Sequence, residues 1–545
     1  MHKKEKELKW IFVVLGVFFA AFFLFPMLLV FLKSMQVDDG IGWANYTRIF
    51  LEKGFLTALG NSFAVAAVSA SITVALAFFL AYTLHYTNLP PLFKKVISTL
   101  TMVPMLLPTI TYGFSIIYSF GKQGLVTQLL GFQPFEIYGW NGLVIGYVIY
   151  TLPTAFLLVN NTLQYIDKKF SVVSRIMGDN AWRAFSMTVM RPMLGTLAAA
   201  FIQSFFLSFT DFGIPASVGG EFQVIATVLY NQMLGSVPNF GQGAVVAVVM
   251  LAPSVFSIVL LNVLERYNIR YQKVSEIEIK KNRLRDGVAG AGALVILAAM
   301  LSVFLVICVV PFVEMWPYKL EFTLEHIKNV FSSELSGVYR NSLFTALMTA
   351  LFGTLASYGA ALISARSNLR PVCRGMMDSI ALVINTIPGM VLGLAFLFAF
   401  TGTPLQNTFL ILIICNIVHY FSSPYLMMKN SLSKMNRSWE TTAMLMGDSW
   451  LKTVIRVVTP NARRTILEVF SYYFINAMVT ISAVIFLTGA RTMVITAKMK
   501  ELQHYAKFDE IFALSLLLFI TNLGVKALFY MLSHRKDEKR YESKS

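Results

Sequence analysis

WIFVVLGVFFAAFFLFPMLLVFL, residues 10–32, is a continuous apolar block without a charged side chain. A helix of roughly 20 apolar residues crosses a bilayer core about 30 Å thick, so the block predicts a retained membrane-spanning helix. A lone helix also satisfies its own backbone hydrogen bonds in lipid. Strands of a membrane barrel would instead alternate apolar and polar residues over about ten positions, and this block does not.

The composition of the whole chain agrees with this first block. Of 545 residues, 56% are hydrophobic and 13% are charged, and the charges cluster between long apolar runs. We therefore predict an all-α, polytopic helical membrane protein with about twelve spans. The predicted spans centre on residues 10–32, 61–84, 96–120, 141–162, 193–212, 243–264, 288–312, 342–364, 379–400, 408–428, 465–488 and 511–532.

The distribution of Lys and Arg predicts the orientation of the chain. If the N-terminus is cytoplasmic, the predicted inner segments hold roughly three times as many Lys and Arg as the outer ones. Both termini are then expected in the cytoplasm. The net charge of +17 is therefore explained mainly by the basic inner segments. The basic residues are divided among many loops, which does not favour a nucleic-acid partner.

The two halves of the sequence resemble each other. Asn61-Ser62 recurs as Asn341-Ser342 and Pro108 recurs as Pro388, both 280 residues later. Internal repeats of this kind are common in transporters, which place their pathway at the repeat interface. We predict a first repeat over residues 1–265, a charged linker over 266–287 and a second repeat, with a basic C-terminal tail, over 288–545.

A basic, amphipathic loop also recurs, at about 166–192 and 434–460. Each copy contains Met-Gly-Asp, centred on Gly178 and Gly447. Glycine can adopt positive φ, so each loop is predicted to form two short helices joined at a Gly corner. In the second loop, Asp448 or Ser449 is expected to cap a helix that ends before Pro460. The residues expected to face the bundle are Phe170, Ile176, Trp182, Phe185, Val189, Trp450, Leu451, Val454, Ile455 and Val458. An interfacial helix touching lipid headgroups is the alternative interpretation.

The second loop resembles the EAA loop of the permease subunits of bacterial ABC importers. The segment Glu440 to Gly447, with Pro460 thirteen residues after the glycine, is similar to that pattern. The first loop has Val172-Val173-Ser174 in place of the acidic and alanine letters, and one extra residue before Pro192. The resemblance implies a multi-pass protein of the bacterial cytoplasmic membrane, with six spans per half.

The resemblance also implies partners and docking residues. In such permeases the loop is a coupling helix that enters a cleft on an ATP-hydrolysing subunit. Here this implies two copies of an ATP-binding subunit and an extracytoplasmic solute-binding protein. The implied docking residues are Gly178, Asp179, Trp182, Arg183, Gly447, Asp448, Trp450 and Lys452.

Double-length permeases of this kind are typical of ferric-iron, thiamine and 2-aminoethylphosphonate importers. The stretch 210–215, Thr-Asp-Phe-Gly-Ile-Pro, and the Val-Gly-Gly at 218–220 look like a segment of the iron and phosphonate branches. The stretch 480–487 is similar to a second such segment. The resemblance implies ferric iron or a phosphonate as solute, with thiamine also possible.

The chain is not expected to be an enzyme. It has no GxxxxGK[ST] motif to cradle a nucleotide phosphate, so ATP and Mg²⁺ would be used by the partner subunits and no cofactor is expected on this chain. Its three cysteines, Cys308, Cys373 and Cys415, lie in or beside apolar segments without a CxxC spacing. We expect buried thiols, and neither a disulfide nor a metal site.

Four residues are candidates for the pathway or its gate. Asp211 is an acid near the end of the fifth span, and Thr480 is its counterpart in the second half. Asp211 is interpreted either as a helix cap or as a gate or solute contact. Pro108 and Pro388 permit bends in the third and ninth spans, which serve either alternating access or packing. His419 has no second metal ligand nearby in the sequence and is expected to be a hydrogen-bonded core or interface histidine.

Two other functions stay open at this point. An ion-gradient-driven secondary transporter with inverted or parallel repeats would also have twelve spans, but it should carry acidic or histidine relays within them. A membrane-bound enzyme such as a lipid-modifying transferase needs a clustered polar active site, and no such cluster is evident in the sequence.

Overall fold

The computed structural model describes residues 5–37, 40–264, 281–332, 334–367, 369–436 and 438–542. Most of the predicted linker, 266–287, therefore lies outside the described residues. The described helices before the linker are α1 (Glu5–Phe19), α2 (Phe25–Met35), α3 (Ala44–Leu51), α4 (Lys53–Tyr86), α5 (Pro91–Leu100), α6 (Thr109–Phe120), α7 (Leu125–Leu130), α8 (Trp140–Leu163), α9 (Lys169–Ile176), α10 (Ala181–Phe185), α11 (Arg191–Thr210), α12 (Gly213–Val218), α13 (Ile225–Leu234) and α14 (Phe240–Leu264).

The second half repeats this order of long and short helices. Its helices are α15 (Arg283–Val309), α16 (Glu325–Ser332), α17 (Leu335–Arg366), α18 (Pro371–Ile384), α19 (Gly389–Phe400), α20 (Phe409–His419), α21 (Ser422–Ser433), α22 (Ser438–Leu445), α23 (Trp450–Thr453), α24 (Thr459–Asn461), α25 (Arg463–Val479), α26 (Ile495–His504) and α27 (Phe508–Glu542). Two antiparallel hairpins and five short turns complete the described secondary structure; the turns are π-helical at Ala20–Leu24, Ser186–Met190 and Val454–Val458 and 3-10 at Val103–Leu106 and Val310–Phe312. The hairpins pair β1 (Gln36–Val37) with β2 (Gly40–Ile41), and β3 (Val313–Met315) with β4 (Lys319–Phe322).

The predicted fold class is confirmed. Eight helical stretches of the described chain are long and apolar enough to cross a membrane, and two bent helix pairs bring the number to ten. The bent pairs are α18 with α19, at 107°, and α20 with α21, at 56°.

Four predicted spans are wrong as continuous helices, and two of them, at 379–400 and 408–428, are the bent pairs. The span at 96–120 breaks between α5 and α6, where Pro104 and Pro108 lack the N–H groups that a continuing helix needs. The span at 465–488 ends early, because α25 stops at Val479 and Thr480 is extended. The total of twelve spans stays a prediction.

The first helices of the two halves are exchanged. In the first half, α1 packs on α17 and α2 packs on α19, both in the second half. The rings of Phe19 and Phe421 lie 4.6 Å apart, and those of Phe22 and Phe400 lie 5.6 Å apart. Conversely, α15 packs on α4 and α6 of the first half. Each half is therefore completed by a helix of the other.

The repeated Asn-Ser pair has a structural role at the start of α13. The Asn61 side chain donates to the carbonyl oxygen of Gln223 at 3.0 Å, and the Ser62 hydroxyl accepts from the N–H of Ile225 at 2.7 Å. These bonds satisfy backbone groups at a helix start, which has no internal partners for its first N–H groups.

The second Asn-Ser pair makes the equivalent hydrogen bonds at the start of α26. Asn341 donates to the carbonyl oxygen of Met493 at 3.1 Å, and Ser342 accepts from the N–H of Ile495 at 2.8 Å. The repeated Asn-Ser residues therefore make equivalent hydrogen bonds in the two halves, and α13 and α26 are equivalent helices.

Candidate functional site

The first candidate coupling loop consists of α9, a glycine corner and α10. Gly178 has a φ of +90°, in the left-handed region that glycine adopts without strain. The N–H of Asp179 bonds back to the carbonyl oxygen of Ser174 at 3.1 Å, which closes the end of α9. Asn180 then caps α10 by accepting from the N–H of Arg183 at 2.8 Å.

The second loop has the same geometry, built from α22 and α23. Gly447 has a φ of +85°, and the N–H of Asp448 bonds to the carbonyl oxygen of Ala443 at 2.9 Å. Of the two predicted caps, Ser449 is the one that accepts, from the N–H of Lys452 at 3.3 Å. Asp448 instead pairs with the Lys452 ammonium, as Asp179 pairs with Arg183 at 3.3 Å in the first loop.

The predicted end of the second loop helix before Pro460 is wrong. A π-helical turn, 454–458, follows α23 and leads into α24, where Pro460 lies in the first turn. Pro192 lies in the first turn of α11, directly after the matching π-turn at 186–190. In both places a π-turn directly precedes the proline, and its altered hydrogen-bond register accommodates a residue without an N–H. The extra residue of the first loop lies in α10, which has five residues where α23 has four.

The apolar faces of the loops differ in part from the prediction. Val189, Val454 and Val458 are buried against the bundle, as predicted. Trp182 is wrongly predicted, because it is 74% exposed, and Ile455 is also exposed. The remaining predicted positions are exposed or half-buried: Phe170, Phe185, Trp450 and Leu451.

Two consecutive apolar residues stand at the tip of each loop, immediately before the glycine. Ile176 and Met177 are each 80% exposed, and Leu445 and Met446 are 85% and 79% exposed. Ile176 was predicted to face the bundle, and that prediction is wrong because the Gly178 turn directs the end of α9 outwards. We call these two pairs the loop tips. The signal for them in the sequence is the position directly before a glycine corner.

A buried ion pair fixes the second loop to α17. The Arg366 Nε lies 2.7 Å from one carboxylate oxygen of Glu440, and an Nη lies 2.8 Å from the other. The Arg366 side chain is 1% exposed and that of Glu440 is 15% exposed. Arg366 also donates to the carbonyl oxygens of Met435, at 2.7 Å, and Asn436, at 3.1 Å. All these acceptors belong to the loop, so Arg366 fixes it to α17, and Tyr358 of the same helix adds a hydroxyl–hydroxyl bond to Thr459 at 2.8 Å.

The first loop has a different attachment. Tyr86, which precedes Arg366 by the repeat offset of 280, lies under the Lys168 ammonium, with 5.8 Å between Nζ and the ring centroid. His85 beside it bonds to the Asn160 side chain at 2.9 Å. A cation–π contact is weaker than a buried bidentate ion pair, so the two loops are held unequally.

A cavity of about 290 Å³ lies between the two halves. Equivalent positions face it from both halves: Tyr150 with His419, Thr154 with Ser423, and Asp211 with Thr480. Pro388 lines the cavity and is the N-cap residue of α19, while Pro108 is the equivalent N-cap residue of α6. Each proline therefore lies where a new helix begins after a break, and does not bend a continuous helix as predicted.

Asp211 both caps a helix and lines the cavity. Its carboxylate accepts from the N–H of Ile214 at 2.9 Å, at the start of α12, and also from the Thr109 hydroxyl. Thr480 is buried, and its carbonyl oxygen accepts from the Thr496 hydroxyl at 2.6 Å. Both residues thus fix the loop that follows a cavity-lining helix.

The cavity lining combines one acid with neutral polar groups. Asp211 is its only carboxylate among the described residues, tyrosine hydroxyls are frequent, and the described lining contains no Lys or Arg. His419 lies at the interface between the halves, as predicted, but the predicted hydrogen bonding fails at its buried Nδ1, which has no partner in the described chain. The cavity therefore offers an anionic and an imidazole group without a competing cation.

Comparison with known proteins gives the chain its family. Residues 73–270 and 353–537 each match the model for the binding-protein-dependent transport system inner membrane component. The chain is 24% identical to the putative ferric transport system permease protein FbpB 1 of Haemophilus influenzae, over 88% of this chain and 78% of that protein. It is also 24% identical to the ferric transport system permease protein FbpB of Actinobacillus pleuropneumoniae, over 89% of this chain and 72% of that protein.

A shorter match has a different printed solute. The molybdenum transport system permease protein ModB of Haemophilus influenzae is 25% identical over 32% of this chain and 79% of its own length. A single-length permease thus aligns with one part of the chain, while the ferric permeases align with both halves. The chain belongs to the family of binding-protein-dependent transport system inner membrane components, as a fused, double-length ABC importer permease.

Proposed function

We propose that this permease moves ferric iron, delivered by an extracytoplasmic binding protein, and that it recruits two copies of an ATP-binding subunit through its two coupling loops. ATP and Mg²⁺ are then bound by those subunits and not by this chain. The observation that carries the proposal is the pair of equivalent glycine corners, each presenting an exposed apolar tip. An exposed apolar cluster with a polar rim is typical of a protein-binding surface.

The arrangement of the loops supports docking to protein over lying in lipid. Each tip is followed within a few residues by an acid–base pair, Asp179 with Arg183 and Asp448 with Lys452. A lipid-bound amphipathic helix would bury one continuous apolar face, whereas here the most exposed apolar residues of each loop sit at a turn. Because the loops carry many of the basic residues, we place them, and both chain termini, on the cytoplasmic side.

The chemistry of the cavity supports a cationic solute over a phosphonate. A carboxylate at membrane depth attracts cations, and carboxylate, phenol and imidazole groups are all metal ligands. The Asp211 carboxylate would repel a phosphonate, and the described lining contains no Lys or Arg to offset that repulsion. Thiamine is the second cationic candidate, and the thiamine permease ThiP of Salmonella typhimurium aligns with only 29% of this chain.

Reconstitution with purified partners tests this function. The chain should co-purify with an ATPase, whose activity should rise when the iron-loaded binding protein is added. Proteoliposomes should take up ferric iron in an ATP-dependent manner, and should take up neither phosphonate nor thiamine. If the purified chain alone carried out uptake driven by an ion gradient, the ABC-importer assignment would be wrong.

Replacing Asp211 with asparagine tests the charge of the cavity. The asparagine oxygen can still cap α12, so the variant should keep its melting temperature and lose only the negative charge. We expect the rate of ferric uptake to fall roughly tenfold, which corresponds to about 1.4 kcal/mol of lost stabilisation of the cation. Glu221→Gln, on an exposed residue outside the cavity, is the control. Unchanged uptake by Asp211→Asn would leave the residue as a cap only.

Replacing Gly447 with valine tests the corner of the second loop. Nothing lies within 4 Å of a Cβ added there, so any effect comes from the left-handed backbone alone. That conformation costs a residue with a Cβ about 1–2 kcal/mol, which should weaken ATPase binding roughly 5- to 30-fold. Gly447→Asn, which tolerates positive φ, should bind nearly as well as the parent. If Gly447→Val bound the ATPase as tightly as the parent, the glycine corner would not be needed.

A further inference from the structure

A second cavity, of about 310 Å³, is lined in part by α12. The chain passes between the two at Asp211 and Phe212, which line the central and the second cavity respectively. Under the proposed function this second cavity lies on the extracytoplasmic side, remote from the coupling loops, and we call it the outer vestibule. It is bordered by α12 and α13 of the first half and by α26 of the second.

Lys500 and Gln503 of α26 join the halves at this vestibule. The Lys500 ammonium donates to the carbonyl oxygen of Ala216 at 3.1 Å, and the Gln503 side chain donates to the same oxygen at 2.9 Å. Lys500 also donates to the Gln503 side-chain oxygen at 2.8 Å. A single carbonyl of α12 is therefore held by two side chains of the opposite half.

Lys500 also contacts Tyr230, the residue at the equivalent position in the first half. Ile225 and Ile495 are the equivalent first residues of α13 and α26, so Tyr230 and Lys500 occupy the same position in their helices. The two meet each other, with 5.9 Å between the Lys500 Nζ and the Tyr230 ring centroid. Tyr230 in turn stacks on Phe212 at 4.8 Å. A cation in one half thus faces an aromatic ring at the matching place in the other.

Lys500 has no acidic partner in the described chain. The described residues lining the vestibule include no Asp or Glu, and Lys500 takes part in no ion pair of the described part. Lys498, two residues earlier, shows the contrast, because it pairs with Glu334 at 2.7 Å and Glu501 at 2.8 Å. Burial lowers the pKa of the Lys500 ammonium from its ordinary value, as expected for a cation without a counter-charge.

We propose that the outer vestibule is a binding site for an oxyanion. An oxygen of the anion would replace the Ala216 carbonyl oxygen as the acceptor of the hydrogen bonds that Lys500 and Gln503 donate. A carboxylate or phosphate oxygen makes a stronger, charge-assisted bond to an ammonium than a neutral carbonyl does. Capture of the anion therefore releases α12 from α26 and opens the contact between the halves above the central cavity. The oxyanion is either free in solution or a carboxylate of the docked binding protein.

Phosphate titration of the purified full-length chain tests the site. Inorganic phosphate should bind the parent protein at constant ionic strength, and Lys500→Met should bind it at least roughly tenfold more weakly. Gln503→Glu should also lose phosphate binding although Lys500 is retained, because it places a counter-charge inside the site. Lys507→Met removes an exposed lysine that pairs locally with Glu510 and should bind like the parent.

A second measurement follows the opening itself and separates the two sources of the anion. The expectation of buried thiols holds for Cys415 only, because Cys308 is exposed and Cys373 is half-buried. With these two replaced by serine, the Thr154→Cys variant, altered in the central cavity, should react faster with an external thiol reagent when phosphate is added. A different outcome is that phosphate neither binds nor accelerates labelling, while the binding protein accelerates labelling only when Lys500 is present. In that case the anion is a carboxylate of the binding protein. Labelling and phosphate binding that are both independent of Lys500 would overturn the proposal. Because the phosphate titration needs neither the ATPase nor iron, its failure is distinguishable from failure of the proposed function.

Discussion

Arg366→Ala is expected to lower the free energy of unfolding by about 3–5 kcal/mol and to abolish coupling through the second loop. The substitution leaves the Glu440 carboxylate largely buried without its partner, and loss of one member of a buried pair costs this much in other proteins. It also removes the donors to the carbonyl oxygens of Met435 and Asn436, so the start of the loop loses its attachment to α17. Melting temperature and stimulated ATPase activity measure the two effects.

Two further variants separate stability from coupling at this ion pair. Arg366→Lys keeps the charge but lacks the planar fork that binds both carboxylate oxygens, so it should recover most of the stability and little of the coupling. The double variant Arg366→Met with Glu440→Gln removes both charges and should be more stable than Arg366→Ala while remaining uncoupled. A fully coupled Arg366→Ala protein would contradict the role assigned to this contact.

The double variant Leu445→Ala with Met446→Ala is expected to weaken ATPase binding roughly a hundredfold. Each large apolar side chain transferred from water into a partner contributes about 1.5–3 kcal/mol, and each 1.4 kcal/mol is a factor of ten in affinity. The fold should not suffer, because both side chains are about four-fifths exposed in the chain alone. Equilibrium binding to the isolated ATPase, with the melting temperature as a check of folding, measures the effect.

The equivalent first-loop variant, Ile176→Ala with Met177→Ala, is the matched comparison. Its tip is exposed to a similar degree, but Tyr86 and Ser171 stand at the positions that correspond to Arg366 and Glu440. A loop that is already fixed loses less conformational entropy on binding, so the second tip should contribute more affinity than the first. Wild-type affinity in both double variants would contradict docking through the tips.

The sequence alone predicts those features that depend on neighbouring residues or on the repeat. The glycine corners at Gly178 and Gly447 follow from local backbone preference, and the equivalent roles of Asn61 and Asn341 follow from the matched letters. The breaks at Pro108 and Pro388 were predicted as bends, because a proline in sequence does not tell whether a helix bends or restarts.

Contacts between distant residues could not be predicted in this way. Arg366 and Glu440 lie in different helices, and nothing in either segment identifies the other as its partner. The same holds for Lys500 and the Ala216 carbonyl, which lie in opposite halves. His419 illustrates the reverse case, since burial without a hydrogen-bond partner at Nδ1 is visible only once the surrounding helices are in place.

The exchange of first helices imposes an order on the biogenesis of this protein. The α1–α2 segment precedes α17 and α19 in the chain, yet these later helices supply much of its contact surface. Likewise, the face of α4 that α15 covers stays open to lipid until the second half has entered the membrane. A nascent chain interrupted after α14 therefore lacks neighbours for α1, α2, α4 and α6, which exposes it to membrane quality control. Fusing both halves in one polypeptide ensures that the missing helices arrive in the same molecule and in equal number.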